Sequence, residues 1–340
     1  MKLESILTKF PMFKLINSAH KNQLNSFLQT IPMKLNQFKM FYQFDDYQNF
    51  LKNQGTKTYP FMWMEEEEIL GYFTLSLRQH YWQDRPVCAA YLGDLRLNTS
   101  RLKELKKDWK QIIPEFISDL SESEEFQKID YYYFSLMLDN ERALNAFTQG
   151  RLGKFMGPLL PYTSYLISPQ KNLAKSNLEF RLESKTSEGY NFLQESLKNK
   201  FWASSPSNYS EVQYLVGREK GSIVCVVEVF YLSKLRSLHV EMNNGQHFQL
   251  PSLYLGECVF NQFFQEDKKA NFIEQMVSFL NNLYPQIPIM MNLPKKLSAQ
   301  FYLKAEKTEA MLFQLKLRST AHSPFQYLKQ EDGPISAAWL

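Results

Sequence analysis

The order of apolar and polar positions predicts alternating helices and strands along the whole chain. Alternation with a period of two at 58–64 and 69–77, around a run of four glutamates, predicts a hairpin with a solvated tip. The pattern at 87–97 predicts a long strand, and the nearly unbroken apolar run at 129–138 predicts a strand buried in a sheet. An apolar stripe with helical spacing predicts one amphipathic helix over 102–120. We expect it to pack on the sheet through Leu102, Leu105, Trp109, Ile112 and Phe116.

The same order of elements occurs twice. The tetrapeptide Tyr-Leu-Gly-acid begins at Tyr91 and again at Tyr254, each time within a predicted strand that is followed by a helix, a buried strand and a further helix. The polar stretch 169–177 between the copies predicts a linker. We therefore predict an α/β (α+β) protein with two tandem domains, 1–168 and 178–340, each a mixed, mostly antiparallel sheet flanked by helices.

Length, charge and composition agree with this division and exclude several classes of function. A chain of 340 residues exceeds the usual size of one core. The net charge of +4, without a basic block, argues against a nucleic-acid partner. Three scattered cysteines and five scattered histidines lack the spacing of metal ligands, so we expect no metal. No apolar run approaches the roughly 18 residues of a membrane helix, and we expect a cytoplasmic protein.

One strand leads directly into a helix. The run Tyr131–Leu138 is apolar and aromatic, and a helical pattern begins just after it. Asn140 is a typical helix-capping residue and Gly150 a typical helix end. Ala143 and Phe147 lie four residues apart between them, so both face the same way. This segment predicts a helix whose apolar side covers the neighbouring sheet.

The segments Asn140–Gly150 and Tyr91–Leu97 resemble those of the GNAT N-acyltransferase superfamily, in particular bacterial proteins with two fused GNAT-like domains. The first matches the Asn-x-x-Ala-x-x-x-aromatic segment that walls the acyl-CoA site of that superfamily. The resemblance covers about residues 20–167 well and the second copy in outline. It implies acetyl-CoA as co-substrate and an amine, on a small molecule or a peptide, as acceptor.

In GNAT domains the central strand separates from its neighbour, and its main chain pairs with the pantetheine arm of CoA. The next loop wraps the pyrophosphate with glycines, but the matching residues here include none, and Glu104 places a carboxylate there. The second copy also lacks the glycines, so the first retains more of the pattern. The resemblance implies that the cofactor contacts Leu95, Arg96, Leu97, Arg101, Leu102, Lys103, Glu104, Asn140, Ala143 and Phe147.

Asp94 is the candidate catalytic base, because acyl transfer to an amine requires a group that takes the amine proton. It is the only carboxylate on the central strand, and a period of two places Leu92, Asp94 and Arg96 on one face. The alternative is that Asp94 pairs with Arg96 or caps a bulge. Phe147 occupies the position of the tyrosine that usually protonates the thiolate. CoA thiolate would then leave without a protein acid.

Three functions remain open from the sequence. The first is an acyl-CoA-dependent N-acyltransferase with an altered phosphate loop. The second is a non-catalytic GNAT-like protein that binds a ligand or another protein, which the missing glycines and Phe147 favour. The third is a tandem-GNAT aminoacyltransferase that uses aminoacyl-tRNA, although no basic helical insertion is evident. The resemblance implies that the N-terminal helices recognise the acceptor.

Overall fold

The computed structural model of the chain describes residues 1–35, 38–82, 85–149, 153, 156–169, 178–198, 202–204, 209, 211–241, 245–300 and 305–315. Its helices are α1 Leu3–Lys9, α2 Lys21–Thr30, α3 Tyr47–Asn53, α4 Thr99–Glu104, α5 Trp109–Ser121, α6 Glu141–Thr148, α7 Glu188–Lys198, α8 Lys269–Leu283 and α9 Lys295–Ser298. Its strands are β1 Phe13–Leu15, β2 Met33–Leu35, β3 Phe38–Phe44, β4 Lys57–Glu65, β5 Glu68–Trp82, β6 Arg85–Leu97, β7 Tyr131–Met137, β8 Met156–Ile167, β9 Glu179–Glu183, β10 Trp202–Ser204, β11 Gln213–Glu219, β12 Ser222–Tyr231, β13 Arg236–Glu241, β14 His247–Leu250, β15 Leu253–Phe260, β16 Ile289–Pro294 and β17 Glu306–Leu315.

Most strands join one large, mostly antiparallel sheet. Among the described residues it has 13 strands, in the order β1-β4-β5-β6-β7-β17-β8-β16-β15-β12-β11-β9, with β10 paired to β5. The two parallel pairs are β6 with β7 and β15 with β16. The mixed α/β class with a mostly antiparallel sheet and flanking helices, predicted from the sequence, is confirmed.

The two predicted copies have the same local order. In each, a long strand pairs antiparallel with the strand that carries Tyr-Leu-Gly-acid, and this strand pairs in parallel with the next one. The last strand of each half, however, crosses to the other half. β17 pairs with β7, and β8 pairs with β16. The division into domains at 168–178 stays a prediction, and residues 170–177 lie outside the described part of the chain.

A second, four-stranded sheet also connects the halves. Its order is β14-β13-β3-β2, so β13 from the second half pairs with β3 from the first. Between this sheet and the large one lies a core shared by α2, α3 and α7, in which Phe50, Tyr72, Leu193 and Phe230 are fully buried. Buried apolar area is the main stabilising contribution in folding. Neither half therefore encloses its core alone.

The predicted helix 102–120 is wrong as a single element. It is divided into α4 and α5, because the Asp108 side chain accepts a hydrogen bond from the Lys110 N–H (3.1 Å) and begins a new helix. The predicted stripe is partly confirmed: Leu102 and Phe116 are fully buried against the sheet. Leu105, Trp109 and Ile112 are only half-buried at the edge of that core.

Several sequence predictions can be compared directly with the helices and strands. The hairpin β4–β5 and the capped helix α6 are confirmed. The further helix of the second copy, predicted around 297–305, is wrong in its bounds: it is α9, Lys295–Ser298, and residues 301–304 lie outside the described part of the chain. Gly150 lies outside the described residues. Where the chain is described, no helix is long and apolar enough to cross a membrane, and no three His, Cys, Asp or Glu side chains lie close enough to hold a metal ion.

Candidate functional site

The central strand β6 separates from its parallel neighbour β7 part of the way along. Pairing runs from Ala89 opposite Tyr131 to Leu92 opposite Phe134 and stops there, although β6 continues to Leu97. Beyond this point β7 pairs on its far side with β17. Within the described residues, the side of β6 that faces β7 therefore has no strand partner from residue 93 onward. This is the separation that the resemblance predicts for the pantetheine arm.

A β-bulge lies where the two strands separate. Thr74 of β5 is opposite Gly93, and Tyr72 is opposite Arg96, so two residues of β6 face one residue of β5. Asp94 is the first of the two and has a φ of 54°, in the left-handed region. Aspartate tolerates this conformation better than most residues with a side chain. The bulge therefore turns Asp94 out of the regular alternation of the strand.

The prediction that Leu92, Asp94 and Arg96 share one face is wrong because of the bulge. Leu92 instead packs towards α5, on the same side as Leu95 and Leu97. Asp94 and Arg96 face the other side, towards α2 and β3. The extra residue shifts the alternation by one position, and a period-of-two argument cannot detect it.

Asp94 lies in a narrow cleft that the N-terminal elements close. The cleft holds about 270 Å³, counting the space at its open mouth. Its walls are mostly apolar and aromatic, and its lining residues are Leu28, Ile31, Met33, Phe41, Tyr42, Phe44, Tyr72, Asp94 and Arg96. Aromatic walls with a few converging polar groups are typical of small-molecule sites.

The two charged residues of the cleft do not neutralise each other. In the described residues neither Asp94 nor Arg96 forms an ion pair, so the alternative of an Asp94–Arg96 pair is not observed. Nη1 of Arg96 donates a hydrogen bond to the Leu95 carbonyl oxygen at 3.1 Å. That bond fixes the direction of the Arg96 guanidinium group. Asp94 separately lines the cleft.

A buried arginine from the second half lies below the cleft. Arg236 is 2% exposed, and its guanidinium group stacks 3.9 Å from the Tyr42 ring and 4.7 Å from the Phe50 ring. Among the described residues, its Nε and Nη2 have no hydrogen-bond partner. Burial opposes its charge, but Tyr42, Tyr254 and the Asp94 carboxylate raise its pKa above the ordinary value. A permanent positive charge therefore lies behind the ring of Tyr42, outside the lining of the cleft.

Two tyrosines near Asp94 remain neutral at physiological pH. Burial raises the pKa of Tyr72 well above its usual value, and the nearby Tyr47 and Asp94 raise it further. Burial also raises the pKa of Tyr47. Neutral phenols can donate a hydrogen bond to a carboxylate or a bound ligand without adding charge.

The predicted phosphate-binding residues on α4 are largely engaged with one another. Asn98 caps the helix, and its Oδ1 accepts the Arg101 N–H at 3.1 Å. The side chain of Arg101 forms 3.0 Å ion pairs with Glu68 and Glu104 at the surface. Leu102 is fully buried, whereas Lys103 and Glu104 are exposed. A phosphate at this position would have to use the first-turn amides of the helix or displace these contacts.

The helix α6 is confirmed as a capped helix next to the separating strands, and its role as a wall of the site stays a prediction. Oδ1 of Asn140 accepts the Ala143 N–H at 3.1 Å. Phe147 is 5% exposed, with its ring 5.4 Å from Phe134 and 5.9 Å from Trp109. Ala143 is half-buried in the same cluster. Aromatic rings therefore fill much of the space between α5, α6 and β7.

Sequence reasoning missed Arg236 and the aromatic residues of β3. Nothing local marks Arg236, since an arginine in a short alternating strand is usually solvent-exposed. Its burial follows from the pairing of β13 with β3, in which Arg236 is opposite Phe44. That contact joins residues almost 200 positions apart, and no spacing along the chain predicts it.

A buried histidine forms a separate polar cluster on the face of the sheet that Tyr91 shares. The ring nitrogens of His80 lie 2.5 Å from the Tyr131 hydroxyl and 3.2 Å from the Tyr133 hydroxyl. Burial, with a smaller contribution from the charge of Arg78, lowers the pKa of His80 to about 3. His80 is therefore neutral at pH 7, and its ring nitrogens are hydrogen-bond partners of the Tyr131 and Tyr133 hydroxyls.

We expect His80 to make the protein less stable in acid. Below pH 6.5 the unfolded chain binds a proton that the folded chain excludes until about pH 3, so stability falls as the pH drops through this window. In urea unfolding at pH 7 and pH 4.5, His80→Gln should lose less stability between the two pH values than the parent. The exposed His247→Gln is the control and should behave as the parent. Equal losses in all three proteins would contradict the assignment.

Comparisons with known proteins show the fold. No family model matches the chain, and no curated protein matches it. Among solved structures, Saccharomyces cerevisiae N-myristoyltransferase with bound myristoyl-CoA matches with a TM-score of 0.58 at 10% identity, over 94% of this chain and 82% of that one. A second structure of the same enzyme matches with the same TM-score at 9% identity, over 89% and 82%.

A GCN5-related N-acetyltransferase from Anabaena variabilis also matches, at 12% identity over 88% of this chain and 71% of that one, with a TM-score of 0.47. The similarity to the yeast enzyme extends over nearly the whole chain, and it includes both halves. Together with the separated parallel strands, it confirms the fold that the sequence resemblance predicts. The chain has a GNAT-like fold, which it shares with N-myristoyltransferase.

Proposed function

We propose that the chain is an acyl-CoA-dependent N-acyltransferase whose reaction takes place where β6 and β7 separate. The observation that carries this proposal is the combination of the separated strands with a carboxylate on the bulge between them. The thioester would lie along the free side of residues 95–97. The amine would enter from the cleft in front of Asp94.

In this mechanism Asp94 acts on the acceptor. It binds the protonated amine, which first loses one proton to solvent and so becomes a nucleophile. Asp94 then takes the second proton from the nitrogen as the new carbon–nitrogen bond forms and the carbon–sulfur bond of the thioester breaks. The neutral hydroxyls of Tyr47 and Tyr72 and the charge of Arg236 shape the field around it. Phe147 cannot donate a proton, so the thiolate leaves and takes a proton from solvent.

The first half is the better candidate for the reaction than the second. The corresponding acid of the second copy, Glu257, is 1% exposed, and its own N–H donates to the buried Glu228 carboxylate at 3.0 Å. Asp94 is half-buried and opens on the cleft. A substrate amine can therefore reach Asp94 directly, whereas Glu257 is enclosed.

Acetyl-CoA is the proposed donor. The packed rings of Phe134, Phe147 and Trp109 take up the space beneath α6, which favours a short acyl group. In thermal-shift measurements, a ligand at about 100 times its Kd adds roughly 2.7 kcal/mol of stability. We expect stabilisation by acetyl-CoA that equals or exceeds that by myristoyl-CoA. Stabilisation by myristoyl-CoA alone would contradict the short donor, and no stabilisation by either would contradict CoA binding.

The ion pairs on α4 provide a prediction about affinity. Glu104→Gln removes one carboxylate from Arg101 and from any phosphate nearby, so it should tighten binding of CoA, by about two- to fivefold for an exposed charge. Arg101→Ala should weaken binding by a similar factor. The control is Glu195→Gln, which removes the acid of an equally spaced and exposed pair with Lys198 on α7. Titration calorimetry at low salt measures all three, and an unchanged Kd in both α4 variants would exclude α4 from the phosphate site.

A non-catalytic ligand-binding protein is the second candidate. It is favoured by the engaged residues of α4, where Asn98, Glu68 and Glu104 already occupy the groups that a phosphate would use. This candidate predicts that no free thiol appears when the protein is mixed with acyl-CoA and an amine. It also predicts that a ligand still binds in the cleft.

A further inference from the structure

We propose that the cleft in front of Asp94 binds a small zwitterion, an α-amino acid with an apolar side chain, through Asp94 and Arg96 together. The proposal extends the proposed function, since it names the class of acceptor amine. It rests on three features of the cleft: two opposite charges without an ion pair, a surplus of positive charge, and apolar walls.

The first feature is the pair of charges. Asp94 and Arg96 line the same concave space, yet neither forms an ion pair among the described residues. Nη1 of Arg96 is anchored to the Leu95 carbonyl oxygen, so the guanidinium group is held in place while other N–H groups remain for a ligand. A molecule with an ammonium and a carboxylate group can satisfy both side chains at once.

The second feature is the charge below the cleft. Arg236 is buried with two nitrogens that lack a hydrogen-bond partner in the described part of the chain, and it stacks on Tyr42, a lining residue. Arg96 and Arg236 thus place two guanidinium groups near one carboxylate. A buried charge is stabilised by an opposite charge nearby. Arg236 does not line the cleft, but its charge behind Tyr42 favours an anionic group there, which a zwitterion supplies and a simple amine does not.

The third feature is the apolar wall, which selects the side chain. Leu28 of α2, Ile31 just after it, Met33 of β2 and Phe41 and Phe44 of β3 line the cleft. The cleft is narrow, and its volume of about 270 Å³ includes the open space at its mouth, so its occupant is small and lies partly in that mouth. An aliphatic or aromatic amino acid side chain would bury its surface against these residues and displace water from the ionic groups.

Titration calorimetry without CoA tests the site directly. The probes are leucine, phenylalanine and methionine, and the matched analogues of leucine are isoamylamine, which lacks the carboxylate, and 4-methylpentanoate, which lacks the amine. We expect at least one amino acid to bind. For leucine and its analogues, loss of either charged group should weaken binding by about 10–100-fold, as for hydrogen bonds to charged groups. Failure of all three amino acids to bind, or equal binding of leucine and isoamylamine, would overturn the proposal.

Two variants of β6 distinguish a specific role of Arg96 from the general effect of removing one positive charge. Arg96→Gln should weaken amino acid binding by about 10–100-fold and leave isoamylamine binding unchanged. Arg85→Gln, which removes an exposed arginine at the other end of β6, should bind as the parent does. Equal weakening in both variants, or retention of amino acid binding in Arg96→Gln, would overturn the assignment of Arg96.

A parallel assay of thiol release distinguishes this proposal from the acyltransferase itself. With acetyl-CoA, we expect the bound amino acid to be acetylated with a higher kcat/KM than isoamylamine. If the amino acid binds and no thiol is released, the cleft is a zwitterion site and the acyltransferase proposal fails. If isoamylamine is acetylated as well as the amino acid, the acyltransferase stands and the zwitterion site fails.

Discussion

Replacing Asp94 with asparagine is expected to lower the rate of amine acylation by about 10²–10⁴-fold, the usual contribution of a general base. Asparagine has nearly the same shape and also tolerates the φ of 54° at the bulge, so the strand should keep its course. Affinity for acyl-CoA should change little, because the proposed donor contacts are main-chain groups of residues 95–97. Initial rates of thiol release at saturating acyl-CoA measure the effect.

A matched aspartate provides the control for this experiment. Asp267 is exposed and precedes α8, the second-half counterpart of α5, far along the chain from the cleft. Asp267→Asn removes the same charge and should leave the rate unchanged. If Asp94→Asn retains more than half of the parent rate while its melting temperature is unchanged, Asp94 is not the base.

The largest expected effect on stability comes from Phe116 on α5. It is fully buried, and its ring lies 4.1 Å from Phe13, 5.2 Å from Phe61 and 5.4 Å from Phe10, measured between ring centres. Phe116→Ala removes the centre of this aromatic cluster and leaves a cavity. It should lower the free energy of unfolding by about 3–5 kcal/mol. Urea unfolding followed by circular dichroism measures it.

Trp109 on the same helix is the internal comparison. The sequence pattern predicts that it is buried, but it is half-buried at the first turn of α5, next to Phe147. Trp109→Ala should therefore destabilise the protein less than Phe116→Ala does, because less area is removed from water and the neighbours can relax. A larger effect for Trp109→Ala would mean that the core is centred on α6 and not on Phe116.

The local elements of this fold follow from the sequence, because they depend on near neighbours. Apolar periodicity identifies the hairpin β4–β5 and the strands β6 and β7, and the capping residue Asn140 marks a helix start that the structure confirms. The repeated Tyr-Leu-Gly-acid strand and the order of elements identify the GNAT-like fold. The signals for single strands and helices span fewer than twenty residues each, a range over which spacing along the chain corresponds to geometry.

The exchange of strands between the halves does not follow from the sequence. β17 was not predicted as a strand, and it pairs with β7, more than 170 positions earlier. β8 pairs with β16 of the other half. Alternation shows that a strand is half-buried, but it does not identify the partner, since many strands with the same pattern can pair. The pairing of these strands is therefore known only from the assembled sheet.

The sequence predicts Asp94, the central residue of the candidate site, but not the arrangement of the residues around it. Asp94 is identified by its strand and by the resemblance, and the structure places it on the bulge in front of a cleft. Leu92 and Asp94 lie on opposite faces of the strand because the strand contains one extra residue. The sequence carries no sign of this bulge. Arg236 lies behind Tyr42, a lining residue, because β13 pairs with β3, and that contact exists only in the folded chain.

The most direct test of the central claim is a measurement of acyl transfer itself. Purified protein is incubated with acetyl-CoA and an amino acid or simple amine, and both products are quantified by mass spectrometry. The account predicts equal amounts of free CoA and N-acetylated amine, formation that requires both substrates, and near-complete loss in Asp94→Asn. CoA release that does not depend on the amine, or no product above the uncatalysed rate with any acyl-CoA from acetyl to myristoyl, would contradict it.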